Sequence, residues 1–268
     1  MSDHFIGLDR VIQSEIEGEW GETPRGAIFT LVAVIEALCA DASGVLKPSA
    51  ELKQSALWQA AASTGWPKTC KRPIIKCAGF GFQILPSNPD DNQSLVLGFE
   101  LKRWLVRCGF SEQMSMLIRD ALHELHNNAI EHSQTNGRPL FGFAIHGDRV
   151  QFVLADFGIG ALASLRSNPL YSSLRTSGAA LKKAIEPGVS RFADIQRGRG
   201  YGFHDLLRLL TRQWGLAGLR SGNGMLLIDN TNDVSRVLSQ SVSEIPGFQI
   251  HLSLGLAAPL KHLLKERS

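Results

Sequence analysis

The sequence predicts an α+β fold, a two-layer sandwich of one sheet and the helices that cover it. Three observations predict it. A long stretch with helical periodicity, Phe110 to Ser133, leads into a hairpin pattern over about 140–156. Two helical stretches and a glycine-rich loop opening a further helix come next. Two apolar strand patterns, GMLLIDN and GFQIHLSLG, come late.

Taken in order, the first clear element is AIFTLVAVIEALCA, Ala27 to Ala40. At fourteen residues, with Glu36 inside it, it is short of the ~20 residues that span a bilayer, so it reads as a buried helix. KPSAELKQSALWQAAASTGWP starts a helix after Pro48 and Ser49 and ends it at Gly65 and Pro67. RPIIKCAGFGFQILPS carries β-branched and aromatic residues around Gly79 and Gly81 and predicts one or two strands. SNPDDNQS, Ser87 to Ser94, is the clearest turn cluster and places a soft boundary there. Residues 1–94 form a smaller N-terminal region and residues 95–268 the main domain.

In the long helix, Met114, Leu117, Ile118, Ala121, Leu122, Leu125, Ala129 and Ile130 recur at spacings of three and four, with Ser111 placed as N-cap. TNGRP breaks it. Strands near 140–146 and 149–156 flank a Gly147-Asp148 turn. A helix near 160–166, another over GAALKKAIEPG, and the late strands complete the domain.

Composition narrows the function. The chain has 268 residues, 44% of them hydrophobic, and a net charge of +3, with no block of five or more like charges. That composition fits a globular protein and gives no clear signal for nucleic acid or membrane. Cys39, Cys70, Cys77 and Cys108 form no C-x-x-C pair, and the N-terminus lacks a basic-then-apolar signal. Isolated thiols and no leader are what a cytoplasmic protein carries.

HELHNNAIEHS, His123 to Ser133, is the densest polar stretch. A helical zinc site needs histidines four apart; here the second lies three on, and His132 falls nearly opposite, so zinc is not expected. Glu124 and Asn128, by contrast, share one face, with His132 continuing the row and Asn127 beside it. A carboxylate there can take a proton from water or a hydroxyl, and an amide oxygen can ligate Mg²⁺. DFGIG, Asp156 to Gly160, follows an apolar strand; its carboxylate suits an exocyclic amine and its glycines a close approach. No H-R-D motif or upstream V-A-I-K lysine accompanies it, so a protein-kinase reading fails. GRGYG, Gly198 to Gly202, exposes backbone N–H groups ahead of a helix, where an anion is favoured. It is neither a P-loop nor a Rossmann fingerprint.

Together and in this order, the three motifs resemble those of the GHKL (Bergerat-fold) ATPase superfamily, over roughly residues 95 to 255. ELHNNAIEHS resembles its N box, E-x-x-x-N; DFGIG its first glycine box; GRGYG the second, on the lid over the nucleotide. PGFQIHLSL resembles the closing strand. The resemblance implies a mixed sheet covered on one face by helices, and ATP and Mg²⁺ as ligands. It implies that Glu124 orients or deprotonates the nucleophile, that Asn128 holds Mg²⁺, and that Asn127 assists with phosphate or metal. Asp156 would accept the adenine amino group, and Gly158 and Gly160 would leave room for the base. Gly198, Gly200 and Gly202 would meet the phosphates, with Arg197 and Arg199 adding charge. No phosphoacceptor helix precedes the N box, and only about fourteen residues follow the last strand, which sets aside gyrase-type transducers and a complete histidine kinase. What is left resembles histidine-kinase-like and anti-sigma-factor-like bacterial regulators, acting on a protein partner or phosphoacceptor. For residues 1–94 a partner-docking domain, a dimerisation element that would make a homodimer, and an extension of the ATPase core all stay open.

Overall fold

In the computed structural model, the described residues are 31–44, 47–48, 50–68, 74–77, 80–88, 91–134, 138–146, 149–189, 215–229 and 236–255. The elements in chain order are α1 (Leu31–Ser43), α2 (Ala50–Gln54), α3 (Ala56–Ser63), β1 (Ile74–Cys77), β2 (Phe80–Ile84), α4 (Asn92–Arg107), α5 (Glu112–Ser133), β3 (Leu140–His146), β4 (Arg149–Ala155), α6 (Gly160–Arg166), α7 (Ser177–Ala184), β5 (Leu216–Asp229) and β6 (Arg236–Gly255). A single 3₁₀ turn, Pro169–Tyr171, links α6 to α7. The fold is α+β.

The strands form one sheet in the order β1-β2-β3-β4-β6-β5. The resemblance implied a mixed sheet; every described pairing is instead antiparallel. The reason is connectivity. Strands β1 and β2, β3 and β4, and β5 and β6 are each only a few residues apart in sequence, a spacing that suits antiparallel neighbours. The long link after β4 leads to the edge strand β5, and β6 returns to lie between them, opposed to both.

Helices α4 to α7 cover one face of this sheet. Leu105, Leu122, Leu125 and Leu165 pack there against Phe141, Phe152, Leu154, Leu219, Ile250 and Leu252. The strand alternation puts the neighbouring residues on the second face, where α1 and α3 lie: Val34, Ile35, Leu38 and Trp58 meet Phe82, Ile84, Leu140, Val153 and Ala155. The N-terminal region therefore shares its core with the main domain, adding two strands to the sheet and helices to its second face. Truncating one of these buried leucines to alanine would cost about 2–5 kcal/mol.

Helix α4 escapes the sequence reading. The cluster read as a boundary turn is its start: Asp91 is the N-cap and its side chain accepts from the Gln93 N–H at 2.7 Å. Ser111 caps α5 as expected, accepting from Met114 N–H at 3.1 Å. Leu117 was assigned to the apolar side of α5 but is 44% exposed. Helix α5 is pinned to the sheet at its middle and beyond its end. His126 Nε2 lies 2.9 Å from the Pro86 carbonyl. Past the helix, Arg138 Nε donates to the Leu85 carbonyl and Trp66 Nε1 to that of Arg138, at 2.7 and 2.8 Å.

Candidate functional site

A cavity of about 100 Å³ lies between α5, the turn after β4, α6 and β6. Glu124, Asn128 and His132 line it from α5, Asp156 and Gly160 from the turn, Ser164 from α6 and Phe248 from β6. Four of the sequence-assigned residues, Glu124, Asn128, Asp156 and Gly160, are thus brought to one wall-to-wall space. Two larger cavities, about 330 and 320 Å³, flank α4 and touch none of them.

The spacing of four on α5 does what it predicted for Glu124 and Asn128. Glu124 is exposed and Asn128 half-buried at the cavity wall. Asn127 is turned elsewhere: its Nδ2 lies 3.5 Å from His123 Nδ1, and it does not line the cavity. His132 continues the Glu124–Asn128 row, as its spacing predicts. Its partner is Ser164 Oγ, 3.1 Å away on α6, and both line the cavity. Nothing in the one-dimensional pattern pointed to Ser164. His126 is buried, and burial lowers its pKa despite the Pro86 carbonyl, so it is a packing residue.

Asp156 sits at the end of β4, 3% exposed. Its Oδ1 accepts from Gly158 N–H at 2.8 Å and Phe248 N–H at 3.3 Å. No hydrogen bond among the described residues uses Oδ2. Burial pushes the carboxyl up to about 7, against the pull of the two backbone N–H groups. A buried carboxylate of this kind favours a ligand that brings its own donor.

The glycines of DFGIG serve the turn itself. A Cβ on Gly158 would lie 2.5 Å from the Ser133 backbone, so glycine lets the turn press against the end of α5, where Ile159 N–H donates to Ser133 C=O at 3.1 Å. Gly160 has φ +77°, a left-handed backbone that starts α6, and a Cβ there would meet Ser221 Oγ at 2.7 Å. Ser221 Oγ in turn accepts from Ala161 N–H and donates to Gly247 C=O. The room these glycines create is filled by protein, which is a different use from the one the resemblance implied.

Arg197, Gly198, Arg199, Gly200 and Gly202 lie outside the described residues. Val189, which lines the cavity, is the last described residue before them, so the chain leaves for that segment from the cavity wall.

Behind the site, on the second face, lies a buried polar group that sequence reasoning missed. Arg220 Nε of β5 meets Glu36 Oε1 of α1 at 3.1 Å, with the two residues 2% and 5% exposed. Gln249 Nε2 donates to Cys39 Sγ at 3.1 Å, and burial pushes that thiol up. Glu36 looked like an interruption in an apolar helix; its partner lies 184 residues away. Among the described residues no helix is long and apolar enough to cross a membrane, and no three His, Cys, Asp or Glu side chains gather as a metal site.

No protein-family model matches the chain, and no curated protein matches its sequence.

Proposed function

We propose that this protein binds ATP with Mg²⁺ at the cavity between α5 and the Asp156 turn, as the GHKL resemblance implies, and hydrolyses it or transfers its phosphoryl group in a regulatory role. One observation carries the reading: Glu124 and Asn128 from one motif and Asp156 and Gly160 from another line the same small space.

The donor set fits the ligands. Asn128 offers a neutral amide oxygen and Glu124 a carboxylate, both suited to a hard cation. Bound there, Mg²⁺ would neutralise charge on the phosphates. Asp156 takes a hydrogen bond from the adenine amino group, a base that guanine's carbonyl at the same position would not match. Glu124 orients or deprotonates the attacking nucleophile. His132, held by Ser164, faces the same space. The cavity is smaller than the ~300 Å³ of an ordinary ligand site, so binding must widen it.

A second reading has its own support. Among the described residues, no hydrogen bond holds the Glu124 side chain in the orientation of a base. The alternative is a nucleotide-gated interaction module that binds ATP and turns it over negligibly.

Isothermal titration with ATP and Mg²⁺, on the wild type and on Asn128→Ala and Asp156→Asn, tests the site. Micromolar binding lost in both variants supports it; no heat and no thermal shift for the wild type sinks it. Glu124→Gln separates the two readings. An ATPase loses about 100-fold or more in phosphate release while keeping its affinity, whereas a gated module has no phosphate release to lose.

A further inference from the structure

Helix α4 carries a second pattern beside the one that buries it. Ser94, Leu101 and Leu105 face inward and are buried. On the opposite side Val96, Phe99, Arg103 and Val106 follow one another at spacings of three, four and three, the seam of a heptad. All four are exposed, Phe99 at 62% and Val96 at 56%. A phenylalanine and two valines held in a row in water are costly unless something covers them.

The seam is self-complementary when two copies run antiparallel. In such pairs an a-position residue meets a d-position residue of the other helix. Centred between Phe99 and Arg103, the pairing sets Val96 against Val106 of the second copy at both ends. It sets each Phe99 ring under the Arg103 guanidinium of the other copy, a cation–π contact. The flanking positions are Glu100 and Arg107, both exposed and of opposite charge. The same register puts Glu100 of one copy within reach of Arg107 of the other, twice over by symmetry. A parallel arrangement would stack Arg103 on Arg103 and gain no such pairs.

We infer that the exposed face of α4 is a homodimer interface, formed by antiparallel pairing of two α4 helices through Val96, Phe99, Arg103 and Val106 and locked in register by Glu100 and Arg107. The inference does not depend on the nucleotide site, which no residue of α4 lines.

Sedimentation velocity of the full chain over about 1 to 300 µM, at 150 mM salt, tests it. The wild type should show a concentration-dependent dimer. Glu100→Arg and Arg107→Glu should each weaken it about tenfold, because two attractions become two repulsions, and the double reversal should recover it. Phe99→Asp should leave a monomer. These positions are exposed, and unchanged circular dichroism melts would show that the fold survives. A wild type that stays monomeric overturns the inference. So does a dimer that the single reversals leave unmoved, or one that the double reversal fails to restore.

Discussion

Asp156→Asn should make the protein more stable, by an amount that builds up as pH rises from 3.8 to about 7. Burial pushes the carboxyl from its ordinary 3.8 up to about 7. The folded state therefore holds a proton that the unfolded chain has released. Stability from this group is fully present below pH 3.8, is lost as pH rises toward 7, and stays lost above it. The loss is on the order of 4 kcal/mol. Asparagine keeps an oxygen for the Gly158 and Phe248 N–H groups and never ionises. The variant's advantage over wild type should thus grow by several kcal/mol between pH 4 and pH 8, read from urea unfolding at each pH. Comparing the two proteins matters, because His251 works in the opposite sense. It is buried, both its ring nitrogens lack partners among the described residues, and burial pushes it down to about 3. Its contribution is lost as pH falls below 6.5, equally in both proteins, and cancels. A constant difference across that range would refute the reasoning, as it would mean Asp156 is hydrated or already paired.

Three further outcomes follow from the same geometry. ATP affinity in the wild type should strengthen as pH rises through about 7, since the ionised Asp156 is a stronger acceptor for the adenine amine than the protonated acid; titration calorimetry at pH 6 and 8 checks the direction. Gly158→Ala should cost about 3 kcal/mol in chemical unfolding, because the added methyl meets the Ser133 backbone rather than a side chain that can move aside. Arg220→Met takes the guanidinium away from the buried Glu36 carboxylate and should cost about 3–5 kcal/mol, while Glu36→Leu with Arg220→Met should regain most of it in the same assay.

The sequence was most legible where one period dominated. The long helix and its Ser111 cap were readable because 22 residues repeat one pattern. The two strands of the hairpin were readable from their apolar and aromatic runs, while the Gly147-Asp148 turn lies outside the described residues. Helix α4 was not, because it is apolar on two sides: the inward leucines and the outward Val96–Phe99–Val106 row blur each other's periodicity. The strands β5 and β6 were seen short, since polar runs such as SVSE and the bulge at Gly222–Gly224 interrupt the apolar signal while the ladder continues. At the site, Glu124 and Asn128 were visible because neighbours on a helix are close in sequence. Ser164 and the Glu36–Arg220 pair were invisible because tertiary structure alone brings them together.

Strand β6 has an implication for modularity. Phe248 looks into the cavity, and the next residue, Gln249, reaches Cys39 of α1 through the opposite side of the sheet. One peptide unit thus separates the ligand-facing wall from the N-terminal helix. A fragment starting at residue 95 would carry all three motifs and still be a poor transplant. It would lose β1 and β2, bare Leu140, Val153 and Ala155, and leave Arg220 without its carboxylate. Any recombination event or chimaera that moves the motif-bearing portion to a new setting must move the first third of the chain with it, or rebuild the back wall from other residues.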